Sequence, residues 1–181
     1  MNEIILENGK KIGGTNSPFI IAEIGNNHNG DIEIAKKLIE IASQIGVDAV
    51  KFQVKDIESS FSKELLEKPY NGPNSFGKTY REHKEFLEFN QDQLKTLYEY
   101  SRQKGIICFS TPFDIKSFEL LENLNNPIYK ISSFHVTDIP LIKRIIDTKK
   151  PVIMSTGMST IEEISKAYQL FTDTNNLILL Q

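Results

Sequence analysis

The stretch VDAVKFQV, Val47–Val54, decides the fold. Val50, Phe52 and Val54 alternate with Lys51 and Gln53, the two-residue period of a β-strand. The apolar side suits packing against helices. The other side puts an ammonium and an amide near the end of a strand buried on both faces. A charge there is costly to desolvate unless it meets its opposite. Lys51 is therefore either half of a structural lysine–carboxylate pair or the receptor of an anionic ligand.

Upstream, FIIAEI (Phe19–Ile24) reads as a buried strand whose last polar residue is Glu23. The loop Gly25-Asn26-Asn27-His28-Asn29-Gly30 follows. From Asp31 a helix is predicted, with Ile34, Leu38, Ile41, Ala42 and Ile45 at helical spacing and Gly46 as its stop. The unit is strand–helix–strand, a crossover that makes parallel neighbours. Before it, Asn8-Gly9 within Ile4–Ile12 signals a type I′ hairpin capping one end of the domain.

Downstream, Lys55–Phe89 is the longest irregular segment, interrupted by Pro69, Asn71-Gly72-Pro73-Asn74 and Gly77. Its aromatics (Phe61, Tyr70, Phe76, Tyr80, Phe86, Phe89) predict an ordered flap. Asn90 with Gln93 forms a capping box for a helix carrying Leu94, Leu97 and Tyr98 and ending at Gly105. Strand three spans Ile106–Thr111. Asp114 caps a helix bearing Phe118, Leu121 and Leu124. Strand four, Ile128–Ser133, again sets a lysine, Lys130, in an apolar frame. A proline-started helix, Pro140–Thr148, leads to strand five, Val152–Ser155. Ser159 with Glu162 reads as a second capping box, for Ile161–Phe171, and Leu177–Leu180 is strand six. The alternation predicts one parallel α/β domain over residues 1–181, with the hairpin in 1–15 and six strands across 19–181.

The 181 residues are 39% hydrophobic and 25% charged, an ordinary globular balance, and net charge is −3. Without a Lys/Arg-rich run, duplex nucleic acid and anionic membrane are excluded as partners. No apolar run approaches about 18 residues and the amino terminus shows no signal core, so the expected setting is cytoplasmic with no membrane span. The single cysteine, Cys108, has no internal disulfide partner and reads as a buried, inert thiol.

Parallel α/β folds build their sites at the carboxyl ends of strands. Glu23, Lys51, Gln53, Thr111, Lys130, Ser133 and Ser155 all fall at or near that edge. Lysines neutralise anionic charge, hydroxyls donate hydrogen bonds, and a carboxylate handles a proton or a developing cation. The set suits a phosphorylated, carboxylated small molecule, although each hydroxyl taken singly also fits a cap or turn. His28, His83 and His135 show no metal spacing, and His28 reads as an organiser of its own loop. Neither a G-x-G-x-x-G nor a Walker pattern is present, which argues against a nucleotide cofactor.

Five motifs in order, IAEIGNNHNG, VKFQ, FSTPF, YKISS and STGM, resemble the sialic acid synthase (N-acetylneuraminate synthase) family. The resemblance runs from Phe19 onward. It implies a (β/α)8 TIM-type barrel and condensation of phosphoenolpyruvate with N-acetylmannosamine or a related acetamido sugar. It implies that Lys51, Lys130, Thr111, Ser133 and Ser155 bind phosphoenolpyruvate, that Gln53 and the flap residue Asn74 contact the sugar, and that Glu23 is the carboxylate beside the reacting carbons. It further implies a divalent metal, manganese or magnesium, acting as a Lewis acid. His135 departs from the pattern, since many family members carry Glu there.

A (β/α)8 barrel takes about 250 residues. Six strands leave it open, so the expectation is an incomplete barrel, without the later-strand metal ligands and the C-terminal antifreeze-like domain, and inactive by itself. Open edges invite a homo-oligomer or a completing chain. Alternatives at this point are another phosphoenolpyruvate- or pyruvate-using synthase or aldolase, a non-catalytic anion-binding module, and an open doubly wound sheet.

Overall fold

The computed structural model describes residues 3–172 and 174–181. It opens with a hairpin of β1 (Glu3–Ile5) and β2 (Lys11–Gly13), antiparallel with Ile4 opposite Ile12. The turn differs from the expected type I′. Gly9 N–H donates to the Leu6 carbonyl and Leu6 N–H to the Lys10 carbonyl, each at 2.8 Å. Gly9 has φ +83°, whereas Asn8 stays out of the left-handed region. This is a three-residue loop with a left-handed glycine at its end. Asn8 works through its side chain instead, with Oδ1 accepting from Lys10 N–H at 3.1 Å.

After the hairpin come β3 (Ile21–Gly25), α1 (Ile32–Gln44) and β4 (Ala49–Val54). The expected irregular flap includes three short helices, α2 (Ile57–Ser60), α3 (Lys63–Leu66) and α4 (Tyr80–Leu87). Side-chain caps explain this, because Asp56, Ser62 and Thr79 each accept a backbone N–H at a helix start. The aromatic flap is ordered, with Phe76 stacked on Phe86 (centroids 4.7 Å apart) and Tyr70 tilted against His83 (4.5 Å). The chain continues through α5 (Gln91–Gln103), β5 (Ile107–Pro112), α6 (Ile115–Asn123), β6 (Tyr129–Ile131), α7 (Ile139–Asp147), β7 (Val152–Ser155), α8 (Ile161–Gln169) and β8 (Leu177–Leu180).

Strands β3 to β8 form one parallel sheet in sequential order. A doubly wound sheet reverses direction at a switch point; unbroken order with right-handed crossovers keeps all helices on one face and curls the sheet toward a TIM-type barrel. Two cores follow from the strand period. On the convex side Val50, Phe52, Val54, Tyr129, Ile131, Val152 and Met154 meet the helices. On the concave side Ala49, Phe109, Ile128 and Ile153 meet Ile4 and Leu6, so the hairpin does plug the amino ends of the strands.

Three local expectations shift. In α1 the buried residues are Ala35, Ile39 and Ala42, while Ile34, Ile41 and Ile45 are exposed, because the alanine side is slim enough to seat the helix against the sheet and α5. The second capping box is Thr160 with Glu163, one residue later than expected. Strand β6 ends at Ile131, and Ser133 stands in the 3-10 turn Ser133–His135. The β5–β6 seam is short, and Asn126 reinforces it: Oδ1 accepts from Ser110 N–H at 3.0 Å and Nδ2 donates to the Ile128 carbonyl at 2.7 Å.

Candidate active site at the carboxyl ends of the strands

Glu23 and Lys51 are register partners on β3 and β4, on the concave face. Lys51 is only 6% exposed, its ammonium 2.6 Å from Glu23 Oε2, and it donates to Thr111 Oγ1 at 3.1 Å. Of the two alternatives for Lys51, the lysine–carboxylate pair is present, and its carboxylate is half open to solvent. Lys130, on β6, donates to Ser155 Oγ and to the Ile131 carbonyl, and no carboxylate pairs with it among the described residues. Burial, with the Lys51 charge behind it, pushes the Lys130 ammonium down to about 8 against a smaller pull from Glu23. Two cations thus share one carboxylate, an excess of positive charge that favours an anion.

Glu23 and Gln53 converge on Gly25. A bulge separates Glu23 from Gly25, and Gly25 takes φ +53°. A Cβ there would stand 3.3 Å from Glu23 Oε1 and 3.6 Å from Gln53 Nε2, so the glycine keeps that corner clear. Ser133 borders the loop after β7, where Ser159 Oγ donates to its carbonyl at 3.5 Å. Of the predicted residues, Glu23, Lys51, Thr111, Lys130 and Ser155 are linked by direct contacts or charge. Gln53 joins through Gly25, and Ser133 flanks the set. Asn74 is exposed in the flap turn, and no described hydrogen bond ties it to the lysines.

The histidines play other parts. His28 is buried, stacks on Phe89 (centroids 4.1 Å), and accepts from Gly30 N–H at 3.0 Å, organising its loop as expected. Burial holds its ring down to about 4, so it is neutral near pH 7. His135 Nδ1 lies 2.6 Å from Ser132 Oγ, beside Phe113. Among the described residues no three His, Cys, Asp or Glu side chains group as a metal centre, so this chain's residues alone do not fit the divalent metal of the resemblance. Two cavities, about 480 and 300 Å³, lie at the amino ends beside Leu6 and Ile12, away from the lysines. The lysine mouth is an open concavity.

Sequence reading missed one buried pair beside the mouth, Lys55 and Glu88. Lys55 Nζ donates to Gln53 Oε1 at 3.0 Å and lies 3.5 Å from Glu88 Oε1. The available signal was the strand period, which continues Lys51, Gln53, Lys55.

Sequential parallel strands, a plugged amino end and charged residues at the carboxyl ends define a barrel-type α/β protein with two lysines and a glutamate at its mouth. Residues 38–181 match the NeuB family, and the chain belongs to that family. It is 38% identical to the mouse N-acetylneuraminate-9-phosphate synthase over 180 residues, covering 99% of this chain and 50% of the mouse protein. It is 39% identical to a Campylobacter jejuni N,N'-diacetyllegionaminic acid synthase, covering 82% of this chain and 45% of that one. A Leptospira borgpetersenii sialic acid synthetase, crystallised with citrate, superposes with TM-score 0.81 at 33% identity over 98% of this chain and 58% of its own. The chain spans about half the length of the curated relatives it matches.

Proposed function

We propose that this chain supplies the phosphoenolpyruvate-binding part of a nonulosonic acid synthase, which joins phosphoenolpyruvate to an acetamido sugar, N-acetylmannosamine or a relative. One observation carries this reading: at the strand ends Lys130 feels the Lys51 charge, and Glu23, the one carboxylate paired with either lysine among the described residues, is bonded to Lys51. Membership of the NeuB family supports it.

In the proposed reaction C3 of phosphoenolpyruvate attacks the sugar aldehyde carbon, forming the C–C bond while the aldehyde oxygen takes a proton. Water adds at the cationic C2, losing a proton, and phosphate departs with C–O cleavage to leave the 2-keto acid. Lys51 and Lys130 neutralise the carboxylate and phosphate, and Thr111, Ser133 and Ser155 donate to their oxygens. Glu23, beside Lys51 and open to solvent, stabilises the cationic C2 and takes the proton of the adding water. Gln53 contacts the sugar, with Asn74 reaching it from the flap. The setting is the cytoplasm, which the lone buried thiol of Cys108 suits.

The test is phosphate release by the protein expressed from its complete reading frame, given phosphoenolpyruvate, a panel of acetamido sugars and manganese or magnesium. Sugar-dependent phosphate release with a keto acid product is expected, and Lys130→Met should abolish it. No release with any sugar overturns the proposal.

A further inference from the structure

Beside the mouth, the ammonium of Lys55 makes an unusual choice of partner. Its side chain is 7% exposed and that of Glu88 12%, so the two form a largely buried ion pair. Such a pair is stabilising only when its geometry is good. Yet the ammonium sits 3.5 Å from Glu88 Oε1, which has no hydrogen-bond partner in the described structure, and donates instead to Gln53 Oε1 at 3.0 Å. The Phe113 ring, its centroid 4.1 Å from the ammonium, closes another side. Glu88 Oε2 accepts from Lys55 N–H at 3.1 Å, fixing the backbone from which the lysine springs. Lys55 and Glu88 lie at the two ends of the flap and join it at its foot.

A lysine ammonium has donors and no acceptor. The Gln53 atom that meets it must therefore be the carbonyl oxygen, and the NH2 group is left at the other end. That end, Nε2, faces the space held open at Gly25, into which Glu23 Oε1 also points.

We infer that Lys55, held by Glu88, is a positioning residue that turns the Gln53 carboxamide so that its NH2 presents a donor to the mouth, selecting an oxygen acceptor on the sugar. The inference rests on the functional reading above and adds to it the direction of the hydrogen bond and the group that sets it. A free glutamine offers either end of its amide. Lys55 removes that choice, so a hydroxyl or acetamido carbonyl oxygen finds a donor in Gln53, whereas an N–H group finds no acceptor on that amide.

Two variants test it in the protein from the complete reading frame. Lys55→Met should raise KM for the sugar roughly tenfold, the worth of one hydrogen bond, and leave KM for phosphoenolpyruvate within about twofold. Gln53→Ala should have a similar effect, and the double variant should be no worse than Gln53→Ala, because Lys55 acts through Gln53. Gln53→Glu keeps an oxygen for Lys55 and removes the donor, so it should raise sugar KM as much as Gln53→Ala even if Lys55→Met does not fold. Additive effects of Lys55→Met and Gln53→Ala, or an unchanged sugar KM in Gln53→Glu, overturn the inference while wild-type turnover keeps the functional reading. No wild-type turnover with any sugar overturns both.

Discussion

Glu23 and Lys51 face each other across adjacent parallel strands, carboxylate to ammonium at 2.6 Å, with the lysine side chain 8% exposed and the glutamate 53%. The pair is sealed at its cationic end and open at its acidic end. Lys51→Ala is expected to weaken phosphoenolpyruvate binding roughly 10- to 150-fold, the range for a hydrogen bond to a charged group. Sugar affinity should change far less. Calorimetric titration of both substrates checks this, and equal losses for the two would contradict the assigned role.

Lys130 titrates where binding can be read. Its ammonium is pushed down to about 8, first by burial and then by Lys51. Below that pH the group is charged and attracts an anion; above it the group is neutral. A bound anion favours the charged form and draws the group back up, so binding takes up a proton near pH 8 to 9. Phosphoenolpyruvate affinity should therefore fall as pH rises through about 8. Titration in buffers of different ionisation enthalpy measures the proton, and flat affinity across that window would refute the prediction.

Asn126 is fully buried, and its side chain accepts from the Tyr98 hydroxyl at 2.7 Å and Ser110 N–H at 3.0 Å while donating to the Ile128 carbonyl at 2.7 Å. Asn126→Ala strands a backbone donor and a backbone acceptor in the convex core. The expected loss is on the order of 3 kcal/mol, seen as a lowered denaturant midpoint with unchanged slope. A loss below about 1 kcal/mol would show that solvent or repacking satisfies those groups.

Cys108 is buried within β5, and burial pushes its thiol up to about 12. The thiolate is the reactive form, so the native protein should resist thiol reagents at pH 8 and react fully once unfolded in denaturant. Rapid native-state labelling would mean that this strand opens readily.

Local rules carried far along this chain, and they failed where two answers satisfied the same rule. The run Ser159-Thr160-Ile161-Glu162-Glu163 holds two overlapping capping boxes, and the phase of α8 against the sheet selects Thr160 with Glu163. Helix α1 carries isoleucines on more than one side, and close approach to the sheet selects the side where Ile39 is flanked by Ala35 and Ala42. The Asn90–Gln93 box, with no rival nearby, forms as expected.

The strand alternation, the order of strands and helices, and the placing of lysines and hydroxyls at strand ends were determined by sequence alone, because a period of two fixes which side chains share a face. Tertiary structure alone decided that Glu23 reaches Lys51, that Lys130 pairs with no carboxylate among the described residues, and that Lys55 and Glu88 close the flap onto Gln53. Those relations depend on register between separate strands and on contacts across 33 residues of chain. Periodicity along one strand carries no record of what the next strand sets opposite it.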